Sequence, residues 1–468
     1  MSNLSPDFLA EARTLLGEKG YSEDPDILEQ HATPWRGTFS GNTEFVAYPR
    51  NTAQVSELVS LCARHKVAIT PQGGNTSLVD GGTPHGEIVL STRRMTQIRK
   101  VDPTNNSMIV EAGAPLVSAQ DAAEEVNRFF PLSLGSEGTA TIGGLISTNA
   151  GGVAVLRYGM MRDLILGLEV VLADGRVWNG LNELRKNNTG YDLKHLFAGA
   201  EGTLGIITAA SLKLFPKNQT ATAWVCLGTP KAATELLSLS RTLAGDTVTS
   251  FELIPANALD MVQADIPSIR DPLPNPAGWR VLVELSMTDA AHANATLEKI
   301  LETAFEDELI EDAALAANET QAQSFWKIRE SIPLSKRAYG TAINHDVSVP
   351  VSAIPEFLQS TQERLQDLIP DVEIIAFGHV GDGNLHYSAC EPESGPGTLH
   401  NKATCVTEIV HEQATAFGGS ISAEHGVGRL KRDEIADLKQ GPEIDVMRAI
   451  KLALDPEGLL NPQRVVST

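Results

Sequence analysis

Two histidines, His379 and His386, enclose the segment Val-Gly-Asp-Gly-Asn-Leu. Asp382-Gly383 predicts a two-residue hairpin loop, because that turn needs positive φ and Asp-Gly supplies it. Counted outward from such a turn, Gly381 faces Asn384, Val380 faces Leu385 and His379 faces His386. Directly opposed residues of an antiparallel pair carry Cβ atoms about 5 Å apart on one face. Two imidazoles held in that way can share one divalent metal, with a carboxylate completing a nitrogen and oxygen donor set. Asn384 is expected on the same face, one step from His386, which puts an amide beside the ion. Further along stand Glu424 and His425. Successive side chains of extended chain diverge, so both reach one ion only if the backbone kinks, and Gly426 and Gly428 permit a kink. A lone histidine is ordinarily a core or surface residue; the opposed pair together with Glu-His-Gly points to a metal.

Such a site needs a scaffold, and the chain is long enough for two or three domains. Its 468 residues are 42% hydrophobic and 21% charged, as in soluble globular proteins. The 37 basic against 59 acidic residues leave a net charge of −22, which argues against nucleic acid or an anionic membrane as partner. Cys62, Cys226, Cys390 and Cys405 show no CxxC spacing, as expected of reduced thiols. The first residues lack the basic and apolar regions of a secretory signal, and no apolar run nears the roughly 18 residues of a membrane span. The expectation is a cytoplasmic protein that is not integral to a membrane.

Val55, Leu58, Val59 and Cys62 form one apolar stripe, predicting a helix over 52–65 capped by Asn51 or Thr52. A strand at Val67–Thr70 then leads into Pro71-Gln-Gly-Gly-Asn-Thr-Ser. Up to Phe215 the chain is glycine-rich, with β-like runs at Glu87–Leu90, Ser107–Glu111 and Leu166–Leu172, an α+β domain whose loops approach a ligand closely. Beyond Pro216, strand-like Ala223–Leu227 and Arg280–Glu284 alternate with helical stretches at 230–244 and 289–306. That alternation predicts a separate sheet with helices on one face. Asp271–Pro276 reads as a surface loop, and 399–417 and 442–454 as helices. The expected division is 1–216, 217–417 and a closing segment, 418–468.

Backbone N–H groups freed of side-chain bulk can cradle a pyrophosphate, although any one glycine pair is ordinarily a turn. Neither GxGxxG nor GxxxxGK[ST] occurs, so a Rossmann or P-loop site is not supported. In order along the chain stand Pro71-Gln-Gly-Gly-Asn-Thr76, Gly143-Gly-Leu-Ile-Ser-Thr-Asn149-Ala-Gly-Gly152, Arg157-Tyr-Gly159 and Gly199-Ala-Glu-Gly-Thr-Leu-Gly-Ile-Ile207. Together these resemble the FAD domain of vanillyl-alcohol-oxidase-type flavoproteins. With Gly378–His386, Glu424-His-Gly-Val-Gly428 and Asp455-Pro-Glu-Gly-Leu-Leu-Asn-Pro462, the resemblance narrows to the metal-containing D-2-hydroxyacid dehydrogenases, among them enzymes of D-2-hydroxyglutarate and of D-lactate.

The resemblance implies an α+β fold: an FAD-binding domain, a separate α+β substrate (cap) domain, and a helical C-terminal segment completing the FAD and metal sites. Pro71, Gly73, Gly74, Asn75 and Thr76 would wrap the pyrophosphate. Gly143, Gly144, Thr148, Asn149, Gly152 and Tyr158 would line the path from adenosine to flavin, with Ile207 near the adenine and Asn461 entering from the tail. Members that hold flavin covalently through the first loop carry His where Asn75 or Thr76 stands, so non-covalent FAD is expected. The metal falls to His379, His386 and Glu424, with zinc expected first and manganese or iron as alternatives. His425 becomes the general base, since an ordinary imidazole exchanges protons near neutrality.

A substrate carboxylate calls for a planar cation, and Arg329 in Trp326-Lys-Ile-Arg329-Glu330 matches the family's choice; alone it would read as a surface pair with Glu330. Asn384 would hydrogen-bond the substrate carboxylate or hydroxyl. Asn344 stands at a substrate-binding position where many D-2-hydroxyglutarate dehydrogenases carry Lys, and Pro333 where relatives carry a hydroxyl residue. The loss of that cation leaves D-lactate or another monocarboxylate open beside D-2-hydroxyglutarate, unless Lys336 or Arg337 compensates. The implied reaction is hydride transfer from a D-2-hydroxyacid to flavin, giving the 2-oxoacid. An electron-transfer flavoprotein or quinone would reoxidise the flavin, and a homodimer is the family expectation. A metal-dependent hydrolase and a non-catalytic flavin subunit are the competing readings, disfavoured by the ordered glycine motifs and by the histidine hairpin respectively.

Overall fold

The computed structural model describes residues 4–35, 37, 39–273, 278–391 and 397–467, and for 337–339 the backbone alone. Asp271–Leu273 lie within the described residues, while the rest of the predicted 271–276 loop lies outside them, as does the side chain of Arg337. The chain divides into two compact units: Met1–Gly152, Gly159–Lys217 and Glu424–Thr468 in the first, Val153–Tyr158 and Asn218–Ala423 in the second. No described helix is long and apolar enough to cross a membrane.

In the first unit the helix Thr52–His65 begins where Asn51 accepts the Gln54 N–H, and buries Val55, Leu58, Val59, Leu61 and Cys62. A four-stranded sheet runs in the order Tyr21–Ser22, Val46–Ala47, Ile88–Ser91, Ile69–Gln72, the last two parallel. A second sheet orders Ile98–Asp102, Ser107–Glu111, Ile206–Lys213, Ile165–Val171 and Val177–Asn179. The tail returns to the first sheet, where Leu460 bridges Ile69 in parallel and the Asn461 N–H donates to the Ile69 carbonyl.

In the second unit the described strands form an antiparallel sheet in the order Asp312–Leu315, Gln219–Leu227, Trp279–Met287, Val248–Pro255, Glu373–His379, Asn384–Cys390, Ala342–Ser348. Alternate residues of these strands point to opposite faces. Ala223, Val225, Val281, Val283, Phe251 and Leu253 enter one core with Leu236, Leu297, Phe357 and Val410, from the helices Pro230–Ala244, Ala290–Glu306, Ile354–Leu368 and Ala403–Ala416. Trp224, Leu282, Ile254, Ile375 and Phe377 enter a second core with Val262, Phe325, Ile328 and Ile332, from the helices Ala256–Asp265 and Glu319–Tyr339. Helices therefore cover both faces, not one as the alternation suggested. The reason is visible in the strands: their odd and even positions are both apolar, so either face would be costly to leave in water.

Candidate active site

The second face carries the polar cluster. Its floor is the hairpin of Glu373–His379 and Asn384–Cys390, where Phe377 pairs with His386 and Ala376 with Tyr387. The connecting loop is therefore four residues, Val380–Gly383, and not the two-residue Asp-Gly turn. Asp382 Oδ1 accepts the Asn384 N–H (3.0 Å), and the His379 carbonyl accepts from Gly383 (3.1 Å). An aspartate that bonds two residues onward widens the turn. His379 and His386 are consequently diagonal neighbours and not directly opposed, yet they share a face, with ring centroids 5.4 Å apart and planes at 79°.

His379 also faces the preceding strand, where its register partner is Glu252. Its Nδ1 lies 2.6 Å from Glu252 Oε1, and Glu252 Oε2 accepts from Arg329 Nε at 2.7 Å. Glu252, Arg329 and His379 are all buried. Burial pushes the Glu252 carboxyl up, but the charges and N–H groups of His379 and Arg329 outweigh it and hold it down at about 2. An ionised Glu252 accepts the hydrogen bond of His379 Nδ1–H, which leaves Nε2, 3.4 Å from Arg329 Nη2, as the nitrogen with a lone pair, the tautomer a metal ligand requires. Arg329 is thus no surface partner of Glu330; its guanidinium lies over the Phe377 ring at 4.8 Å.

Asn384 donates both amide hydrogens, to Asp346 Oδ1 (2.9 Å) and to the Val347 carbonyl (3.0 Å). Both partners are acceptors, so the orientation of the amide is settled by the network. Its Oδ1 is buried without a partner, so Asn384 can accept from a hydroxyl but has no donor left for a carboxylate. Asp346 pairs in register with His386, and its Oδ1 lies 3.9 Å from His386 Nδ1. Asn344 pairs with Ser388 and accepts its hydroxyl (3.0 Å).

Ala423, the last residue of the second unit, donates its N–H to the Asp346 carbonyl (3.3 Å). Glu424 and His425 follow directly in the chain and open the last segment of the first unit. Among the described residues two groups could hold a metal ion: His379, His386 and Glu424, or Asp346, His386 and His425.

The glycine loops meet within the first unit. A Cβ on Gly73 would fall 2.1 Å from Thr141 Oγ1, on Gly74 2.0 Å from the Thr139 carbonyl, and on Gly152 2.2 Å from the Ser133 carbonyl. A Cβ on Gly143 would lie 2.7 Å from that of Ala112, whereas Gly144 has ordinary room. Pro71 packs under Gly202, and Thr76 continues the first loop. Asn75, Asn149, Glu201 and Asn461 all adopt positive φ, at 53°, 50°, 49° and 42°, a conformation that bulky residues resist. Asn149 ends the helix Ile142–Thr148 and accepts the Arg162 N–H, while the Thr148 hydroxyl bonds back to the Gly144 carbonyl. Asn461 Nδ2 donates to the carbonyls of Gly81 (2.9 Å) and Glu201 (2.6 Å). Ile207 is buried in the strand Ile206–Lys213. Tyr158 belongs to the second unit, its ring below the Arg157 guanidinium at 5.1 Å. The side-chain oxygens of Asn75, Thr141 and Asn461 are buried without partners, which fits loops shaped around a polar ligand.

Three participants, Glu252, Glu201 and Asp346, stand outside the expectations drawn from the sequence. Glu252 and Glu201 lie far along the chain from their partners and have no local signal. Asp346, two residues after Asn344 on one strand, was readable from period-2 alternation. Lys336, a candidate cation in the sequence, donates through Nζ to Ser388 Oγ (2.6 Å) and sits 5.6 Å from the Phe377 ring.

Residues 43–180 match the FAD binding domain family, and 218–465 match the family described as FAD linked oxidases, C-terminal domain. The chain belongs to these FAD-linked oxidases and is an FAD-dependent oxidoreductase. Within that class it is 35% identical over 467 residues to the mitochondrial D-2-hydroxyglutarate dehydrogenase of Arabidopsis thaliana, covering 99% of this chain and 82% of the relative. A putative mitochondrial D-lactate dehydrogenase of Schizosaccharomyces pombe is 34% identical, over 95% of this chain and 86% of the relative. The fold is that of p-cresol methylhydroxylase in its substrate-bound crystal structure, with a TM-score of 0.74 at 18% identity, covering 99% and 98% of the two chains.

Proposed function

We propose that the chain oxidises D-2-hydroxyglutarate to 2-oxoglutarate, with FAD as hydride acceptor and a divalent metal at His379, His386 and Glu424. The observation that carries this reading is the single sheet face on which Arg329, His379, His386 and Asn384 converge, with Asn384 offering only an acceptor. When bound, FAD would supply the hydride acceptor for C2, and a divalent metal held by His379, His386 and Glu424 would supply the Lewis acidity that lowers the pKa of the 2-hydroxyl. Arg329 is braced through Nε by Glu252 and turns its remaining N–H fork to the 2-carboxylate. Asn384 Oδ1 orients the hydroxyl, and His425 removes its proton as the hydride leaves. Asn75, Thr141 and Asn461 supply the unpaired oxygens that suit bound FAD, and the first loop holds it without a covalent bond. A flavoprotein or quinone then accepts the electrons.

D-lactate is the second reading. It is favoured by Asn344, a neutral residue at the end of the polar face, and by the yeast relative's name. Turnover with a dye acceptor, with the product identified by mass spectrometry, tests both. Conversion of D-2-hydroxyglutarate but not its L-enantiomer, lost on chelation and restored by zinc or manganese, is expected. A flavin-loaded protein that oxidises no D-2-hydroxyacid contradicts the proposal.

A further inference from the structure

Arg329 and Lys336 are seven residues apart on the helix Glu319–Tyr339. At 3.6 residues per turn that spacing returns to nearly the same face two turns on. Both cations lie over one ring, that of Phe377, at 4.8 Å and 5.6 Å, and the same ring lies 5.1 Å from that of His386. The Phe377 ring therefore lies within reach of both cations and of a candidate metal ligand.

The neighbouring strand repeats this order. Asn384, His386 and Ser388 alternate onto one face of Asn384–Cys390, at intervals of about 6.7 Å. Ser388 receives the Lys336 ammonium (2.6 Å) and donates to Asn344 (3.0 Å). The cation is thus steered to the position one strand repeat beyond His386, where Asn344 itself brings no charge.

We propose that Lys336, steered by Ser388 and Asn344, binds the distal carboxylate of a dicarboxylate substrate and sets the preference for dicarboxylates over monocarboxylates. The assignment rests on the 2-hydroxyacid reading above. An extended five-carbon diacid holds its carboxyl carbons roughly 5 Å apart from ordinary bond lengths, comparable with one strand repeat. With its 2-carboxylate at Arg329 and its hydroxyl near His379 and His386, the far carboxylate reaches the Lys336 end. D-Lactate places only a methyl group along that direction.

The test uses flavin-loaded wild type, Lys336→Gln and Lys336→Arg, with kcat/KM for D-2-hydroxyglutarate and D-lactate, and binding of 2-oxoglutarate and pyruvate read from the flavin spectrum. Lys336→Gln is expected to lower the dicarboxylate-to-monocarboxylate ratio by about tenfold or more, mainly through KM, with 2-oxoglutarate binding weakened in parallel. Lys336→Arg keeps most of the ratio, because the charge is retained. Flavin content and Tm matching the wild type show that each variant folds, and Lys336→Arg carries the test if Lys336→Gln does not fold: an arginine that abolishes the preference contradicts a charge-based anchor. A wild type without preference for D-2-hydroxyglutarate overturns the substrate reading. A wild type with that preference, kept by Lys336→Gln, overturns the role of Lys336 alone.

Discussion

Glu252 and His379 face each other across adjacent strands, with Glu252 Oε1 2.6 Å from His379 Nδ1. The same carboxylate holds Arg329 through its other oxygen. One buried anion thereby orients both a candidate metal ligand and the candidate carboxylate anchor. Removing it leaves two buried donors without their partner, and breaking a buried pair of this kind costs about 3–5 kcal/mol. Glu252→Gln, which keeps the shape, is expected to weaken metal affinity about 10–100-fold, the usual cost of losing a carboxylate behind a ligating histidine. Metal titration of the chelated protein measures it, and unchanged affinity would separate Glu252 from the metal site.

Asn384 has spent both N–H groups and keeps one acceptor. It can therefore distinguish a hydroxyl, which donates, from a carbonyl, which does not. Asn384→Ala should weaken binding of the 2-hydroxyacid by about 1–3 kcal/mol more than that of the 2-oxoacid. Binding constants for both, measured on the metal-loaded protein, check this. Equal losses would mean that Asn384 only braces Asp346.

The first glycine loop has no room for side chains. A Cβ on Gly74 would stand 2.0 Å from the Thr139 carbonyl, so Gly74→Ala must push two loops apart, at about 1–3 kcal/mol. Since buried oxygens of Asn75 and Thr141 line the same junction, the variant is expected to purify with less FAD per chain. A full flavin complement would show that the junction does not shape the FAD site.

Glu201 supplies a pH dependence. Its carboxylate accepts the N–H groups of Val427 (2.7 Å) and Gly428 (2.9 Å), but burial outweighs them and pushes its pKa from 4.5 up to about 7. Between those values the folded chain holds a proton that the unfolded chain releases. Stability from this group is full below pH 4.5 and is lost as pH rises through 7, by about 3 kcal/mol. Thermal unfolding across that window should show the wild type falling relative to Glu201→Gln, which has no proton to lose. Parallel curves would contradict the shift.

Local signals revealed much of this architecture. The Asn51 cap, the helices at 230–244 and 442–454 and the strand Ser107–Glu111 stand where apolar spacing predicts them. The histidine hairpin is present, but its register slips because the Asp382 side chain caps Asn384 and lengthens the loop. Glu252 was invisible for a different reason. It reaches His379 through sheet topology across a separation of 127 residues, and no local spacing encodes which strand comes to lie beside which. Likewise, Lys336 gains meaning only when Ser388 and Phe377 are brought beneath its helix.

The proposed function rests on hydride transfer from a D-2-hydroxyacid to bound flavin. Anaerobic mixing of the purified, metal-loaded protein with D-2-hydroxyglutarate, followed through the oxidised-flavin absorbance band, tests it most directly. The band is expected to bleach in a single turnover with one 2-oxoglutarate formed per flavin, to stay unchanged with L-2-hydroxyglutarate, and not to bleach in His379→Ala. A flavin that stays oxidised with D-2-hydroxyglutarate and D-lactate alike, or that bleaches at the wild-type rate in His379→Ala, would contradict it.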